Sequence, residues 1–275
     1  MNLDNLTLVT QETMYHDLAK RAMEETLKRL PIKNVVVFSD KDFLPGSKWV
    51  KIEHGDMFSY CNRLLKGMGE HIETSHMIFQ QWDAMVHDGS RWKEYFLFND
   101  YIGATWPWRQ HGENVGNGGF SLRSRKLLDA LKADHLQMNI FGEHGVQEDN
   151  YISIVWRPEL EKQGIEYAPA PVADQFSQEL GENGHRAMAH HGLWNTVQFM
   201  PRDVVEFFIT NAPANTWNEV HRAHHTIVCL GAIGYLDLLE LHADAIKASP
   251  VHKELMEWFS NEDYPNIKQV LAMLK

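Results

Sequence analysis

The apolar positions open in two different periods. Leu6-Thr7-Leu8-Val9-Thr10 is a short β-rich run. Ala19, Ala22, Met23, Thr26, Leu27 and Leu30 then recur on one helical face, and Pro31 ends it. Val35-Val36-Val37-Phe38 is continuously apolar and stops at Ser39-Asp40, the pattern of a strand buried on both faces of a parallel sheet. Strand, helix and strand within about 35 residues predict a βαβ unit. Trp49 to Ile52 predicts a third strand, and Asp56 is placed to cap a helix running to Ile72.

The pattern continues with an apolar strand, His76 to Gln81, that runs into Trp82-Asp83, and a shorter one at Tyr101 to Ala104. Gly112 to Gly119 holds four glycines and predicts a loop whose backbone approaches another group closely. Ser124 is placed to cap a helix reaching Leu131. Glu148 to Gln163 predicts a helix that Pro158 interrupts or kinks. Gln163-Gly164-Ile165 reads as a helix stop before a strand. From Pro201 onward the pattern is helical. Asn218 to Ala245 is apolar on most sides through Val220, Ile227, Leu230, Ile233, Leu238 and Leu241, and predicts a buried helix. The whole reads as an α/β fold with a mostly parallel central sheet flanked by helices and a helical C-terminal extension. The expected division is 1–200 and 201–275. Ligands of such sheets bind at the carboxyl ends of strands, which singles out Thr10-Gln11, Ser39-Asp40 and Gln81-Trp82-Asp83.

Composition narrows the function classes. The 275 residues carry 26 Lys+Arg against 37 Asp+Glu, a formal charge of −11. That balance opposes broad nucleic-acid or anionic-membrane binding but leaves room for a local basic groove. Two cysteines, Cys61 and Cys229, exclude a disulfide framework and a Cys-rich zinc site. Met1 to Thr10 lacks the basic and apolar segments of a secretory leader. The longest apolar stretch, Ile227 to Leu236, falls short of the ~20 residues a bilayer needs. A cytoplasmic protein is expected. Histidine is abundant, at 16 residues. His54, His71, His111 and His144 stand in segments without ligand partners.

Four motifs carry candidate chemistry. Asp83 follows a buried strand, where it either holds a divalent metal or caps a turn. Val115 to Arg123 has neither P-loop nor dinucleotide glycine spacing, and is either a ligand-facing backbone segment or a turn. Glu148-Asp149 either stabilises a helix N-terminus or supplies a general base. His190-His191-Gly192 is either a metal or pyrophosphate site or a packed histidine pair. His221 and His225 share a helix face, which suits zinc or interface packing.

Taken in order, several blocks resemble a known family: Ser75 to Asp83, Asp100 to Trp106, Gly116 to Arg125, Glu148-Asp149, Gly164 to Pro169 and His191 to Asn195. The chain is similar over about residues 5–197 to the DUF5672 family of bacterial glycosyltransferases with a GT-A-type nucleotide-diphospho-sugar fold. The resemblance implies a metal-binding Asp-x-Asp after a central strand. Here it reads Gln81-Trp82-Asp83, so Asp83 remains the ligand and Mn2+ or Mg2+ dependence is put in question. It implies His191 as a second metal or diphosphate contact. Gly118 and Gly119 border donor sugar and acceptor, Thr10, Gln11 and Asp40 meet base and ribose, and Gln81 and Arg123 complete the donor site. Asp149 is the implied base and Glu148 the donor-sugar contact, with the reverse assignment open. The implied reaction is sugar transfer from a nucleotide-diphosphate donor to a glycan or other hydroxyl acceptor, in bacterial or phage glycan synthesis; a carboxylate base near the acceptor points to direct displacement with inversion, and retention is the alternative outcome. The rivals are transfer to modified DNA bases and a non-catalytic sugar-nucleotide-binding protein. The C-terminal helices are a candidate homodimer surface.

Overall fold

The computed structural model describes residues 3–109, 113–139, 147–180, 184–260 and 262–275. His111, Gly112 and His144 lie outside the described residues. Two compact units are present, Met1–His191 and Gly192–Lys275.

The first unit is mixed α/β. Its strands are β1 (Leu6–Gln11), β2 (Asn34–Ser39), β3 (Lys48–Lys51), β4 (His76–Gln80), β5 (Ala84–Val86), β6 (Tyr101–Thr105), β7 (Val115–Ser124), β8 (Ser177–Gln178) and β9 (Ala189–His191). Six form a central sheet in the order β3-β2-β1-β4-β7-β6. The pairs β3-β2, β2-β1 and β1-β4 are parallel, as expected, whereas β7 runs antiparallel to both neighbours. A small second sheet has the order β5-β9-β8.

Helices flank the sheet. They are α1 (His16–Arg29), α2 (Met57–Asn62), α3 (Arg125–Ala130), α4 (Glu148–Asn150), α5 (Arg157–Lys162) and α6 (Ala170–Phe176). Alternate strand residues supply two cores. Leu8, Val37 and Ile78 pack with Ala19 and Met23 of α1. Val9, Val36, Phe38, Met77 and Phe79 pack with Leu64, Met68 and Leu128 on the other face. With both faces covered, the central strands read as unbroken apolar runs.

Three local expectations need correction. The glycine-rich segment is strand from Val115 onward, not loop, because its glycines admit groups that pack against the strand. A Cβ at Gly116 would lie 2.1 Å from the Trp106 ring, and one at Gly119 would lie 2.4 Å from the His191 ring. The helix expected from Glu148 to Gln163 is α4, a π-helical turn at Tyr151–Val155, and then α5, with Pro158 in the first turn of α5. Proline is tolerated there because a first-turn N–H has no intrahelical acceptor. The helix expected from Asp56 starts as predicted, with the Asp56 side chain accepting from the Ser59 amide, but passes at Arg63 into a π turn and then a 3-10 turn.

The second unit is helical among the described residues: α7 (Leu193–Phe199), α8 (Arg202–Thr210), α9 (Val220–Ile233), α10 (Leu236–Glu240), α11 (Ala243–Lys247), α12 (His252–Phe259) and α13 (Ile267–Leu274). The single helix expected from Asn218 to Ala245 breaks at Gly234, whose φ of 87° ends α9 in the left-handed region. The three histidines of α9 find aromatic and acidic partners. The His221 ring packs on Trp258, the His225 ring packs on Trp194, and His224 Nε2 meets Glu262 Oε1 at 2.6 Å.

One histidine pair in the small sheet predicts acid sensitivity. His87 and His190 stack, with their Nδ1 atoms 3.3 Å apart. Burial pushes His87 down to about 4 and His190 well below its usual range. The unfolded chain therefore binds protons that the native state refuses, and this contribution to stability falls as pH drops from about 6.5 to about 4. Two to three pH units correspond to about 3 kcal/mol for His87 at ~1.4 kcal/mol per unit. Asp149, described below, pulls the opposite way over the same window. The check is therefore the difference in urea-unfolding free energy between wild type and H87Q, which should shrink as pH falls from 7.5 to 4.5. A constant difference would remove His87 from the acid response.

Candidate active site

The ends of β4, β5 and β9 meet the middle of β7. Gln81 follows β4, and its amide donates to the Gly119 carbonyl at 2.8 Å. Gln81 Oε1 and Asp83 Oδ1 lie 3.1 and 3.4 Å from His191 Nε2. On its other side, His191 Nδ1 is 3.1 Å from Glu179 Oε1. Glu179 sits directly after β8, and its second oxygen accepts from Asn117 Nδ2 at 2.8 Å. Burial opposes charge on His191, but the Asp83 and Glu179 carboxylates outweigh it and hold the imidazole up at about 10. Both ring nitrogens face acceptors, as an imidazolium requires.

Consecutive residues of a strand face opposite sides. His191 covers Gly119, and the acidic pair covers Gly118. A Cβ at Gly118 would lie 2.4 Å from Glu148 Oε1. The Gly118 amide donates to Asp149 Oδ2 at 3.2 Å, and Asp149 Oδ1 accepts from the Asn150 amide at 2.8 Å. Asp149 remains partly open to solvent, whereas Glu148 is buried. Burial, and then the Glu148 charge, push Asp149 up to about 7. Glu148 Oε1 accepts from Arg123 Nη2 at 3.1 Å. Arg123 is fully buried, with its guanidinium 5.2 Å from the centre of the Phe79 ring. It faces the interior, holding Glu148 directly and the Gly118 carbonyl through the Ser121 hydroxyl, rather than standing where a donor would meet it.

Thr10, Gln11 and Asp40 stand at the two neighbouring strand ends. Thr10 and Gln11 are buried. Gln11 Nε2 donates to the Tyr60 carbonyl at 3.4 Å, and Gln81 Nε2 donates to the Tyr60 hydroxyl at 3.2 Å, so Tyr60 links the two glutamines. Asp40 Oδ1 is 2.6 Å from His16 Nε2, and this contact holds its carboxyl below the ordinary range. Glu179, Asn117, Tyr60 and His16 were not singled out from the sequence. Asn117 lies among the β7 glycines; the others carry no local pattern.

Among the described residues, no group of three or more His, Cys, Asp or Glu is arranged to hold a metal ion. What converges on His191 Nε2 is one carboxylate oxygen and one amide oxygen.

Residues 62–191 match the family described as a protein of unknown function (DUF5672). The matched segment contains Gln81, Asp83, the β7 glycines, Glu148-Asp149, Glu179 and His191. It is shorter than the expected 5–197 and leaves β1 to β3 and the second unit outside. No curated protein matches the chain in sequence.

Three solved structures are similar at low identity. A glycosyltransferase involved in the glycosylation of the major capsid of PBCV-1 has 13% identity and a TM-score of 0.45, over 68% of this chain and 92% of its own. The galactosyltransferase LgtC, in complex with donor and acceptor sugar analogs, has 11% identity and a TM-score of 0.43, over 67% of this chain and 86% of its own. The mannosyltransferase PcManGT from Pyrobaculum calidifontis, in complex with GDP-Man and Mn2+, has 11% identity and a TM-score of 0.44, over 98% of this chain and 78% of its own. No helix among the described residues is long and apolar enough to cross a membrane.

Proposed function

We propose that this protein is a GT-A-type transferase that moves a sugar from a nucleotide-diphosphate donor to an acceptor hydroxyl, with inversion, in bacterial or phage glycan synthesis. Asp149 carries the reading. Its carboxyl is anchored by the Gly118 amide, partly open to solvent, and pushed up to about 7. A base with that affinity takes a proton from an attacking hydroxyl near neutral pH. The acceptor oxygen bonds to the anomeric carbon as that carbon's bond to the diphosphate oxygen breaks. The diphosphate leaves with the electron pair, and the hydroxyl proton passes to Asp149. Glu148, fixed by Arg123, is assigned to the donor sugar. Gly118 and Gly119 border that sugar, while Thr10, Gln11 and Asp40 are assigned to base and ribose.

The group at His191 Nε2, one imidazole nitrogen with a carboxylate and an amide oxygen beside it, would suit a divalent ion such as Mn2+ or Mg2+ once that nitrogen has lost its proton. Asp83, His191 and Gln81 would hold it. Bound, such an ion supplies charge stabilisation for the leaving diphosphate. The carboxylates that favour a proton on His191 also favour a metal cation there, and the two compete, so metal affinity should fall as pH falls.

Two thermal-shift measurements test this reading. Screening UDP-, GDP-, CMP- and dTDP-sugars should raise the melting temperature with one nucleotide class. Saturation at 100 times Kd corresponds to about 2.7 kcal/mol. Mn2+ alone should raise the melting temperature of wild type and not of D83A. Equal Mn2+ shifts in both proteins would remove Asp83 from the metal site. Absence of any donor shift, together with no transfer to any sugar acceptor, would overturn the transferase reading.

A further inference from the structure

The end of β6 carries a cleft that the donor and base assignments leave unused. Its volume is about 350 Å3, and Thr105, Trp106, Arg109, Asn114 and Asp174 contribute to its walls. Ligand pockets begin at roughly this size. Trp106 is nearly buried, its ring seated where Gly116 leaves space. Trp108 stacks on it, with ring centres 6.3 Å apart and planes 23° apart, yet Trp108 is 63% exposed. An exposed indole backed by a fixed one is a rigid, flat, amphipathic platform.

The polar groups beside this platform are of mixed kind. Thr105 Oγ1 donates to Asp174 Oδ1 at 2.8 Å, which fixes the carboxylate at the cleft wall. A carboxylate can accept further hydrogen bonds, a carboxamide both donates and accepts, and a guanidinium donates. Among the described wall residues, one formal cation, Arg109, balances one formal anion, Asp174. A phosphate-bearing ligand would want excess positive charge, which these residues do not supply. Hydroxyl groups around an apolar ring face match the set best.

We infer that this cleft is a carbohydrate subsite, with Thr105, Arg109, Asn114 and Asp174 as hydroxyl partners and with the exposed Trp108, stacked on the wall residue Trp106 and flanked in sequence by the wall residues Pro107 and Arg109, as the platform at its rim. Its position connects it to the chemistry. Ala104 pairs with Asn117 and Thr105 with Val115, and the next residue after Asn117 is Gly118, whose amide anchors Asp149. At ~3.3 Å per strand residue, the cleft begins on the order of 7–10 Å from that amide. On the transferase reading, the ring held here belongs to the acceptor.

The test uses the full chain and needs no donor. Tryptophan emission is recorded against methyl glycosides of glucose, galactose and mannose, with AMP and UMP as ring-bearing controls. At least one glycoside should quench or shift the emission, and W108A should bind it about tenfold more weakly, a loss of ~1.4 kcal/mol. D174N, followed by saturation-transfer NMR, should weaken the same glycoside. Unperturbed emission with every glycoside, Trp108-dependent binding of AMP or UMP instead, or equal affinity in W108A would each overturn the subsite. Glycoside binding in a protein without transfer would keep the subsite and discard the transferase role. Transfer with an unchanged acceptor KM in W108A would do the reverse.

Discussion

Replacing Asp149 with asparagine is expected to cut sugar transfer about a thousandfold while nucleotide-sugar binding persists. Positioned general bases contribute roughly 10^2 to 10^4. Asparagine keeps the size of the side chain and can still accept from the Gly118 amide, so the fold of β7 around it is retained. It cannot take the acceptor proton. The loss should fall on kcat, and the thermal shift with the donor should match wild type. The wild-type pH profile gives a second handle. Burial and Glu148 hold Asp149 at about 7, and the base must be unprotonated to act, so kcat/KM should decline as pH drops below about 7. Full transfer by D149N would sink the base assignment. A larger kcat loss in E148Q than in D149N would exchange the two roles.

Legibility from sequence divided along a physical line. β1, α1, β2 and β4 were readable because burial on both faces leaves a local trace: an apolar run or a 3.6-residue period. Asp56 and Ser124 were readable as caps because a cap bonds an amide three residues away. β7 was not readable as a strand, because glycine in a strand makes sense only once the partner of each glycine is known. Trp106 is ten residues from Gly116, and His191 is far beyond Gly119. The π turns at Arg63–Gly67 and Tyr151–Val155 disturb the helical period without a composition signal. Of the candidate residues, Gln81, Asp83 and His191 gather over Gly119, and Glu148 and Asp149 gather over Gly118, the next residue of β7. Glu179 follows a two-residue strand and gains its meaning from His191 and Asn117, neither of which is near it in sequence.

Arg123 shows the same gap between residue type and role, and it carries the largest expected stability effect. An arginine beside a glycine-rich segment suggests a ligand contact, yet this one is 0% exposed. Its Nη2 holds Glu148, its Nε donates to Ser121 Oγ at 3.1 Å, and its guanidinium lies over Phe79. R123M keeps much of the volume and removes the charge, leaving Glu148 as a buried carboxylate without its ion-pair partner. Breaking a buried pair from one side costs about 3–5 kcal/mol, whereas replacing both members is often close to neutral. R123M should therefore lower the melting temperature by roughly 10 °C for a unit of this size. R123M/E148L should recover most of that loss, so the two changes couple strongly in a double-mutant cycle. Additive effects would mean that Arg123 acts through Phe79 and Ser121 rather than through Glu148. Activity separates the two roles further: if Glu148 contacts the donor sugar as proposed, the double variant should be stable yet poor at donor binding.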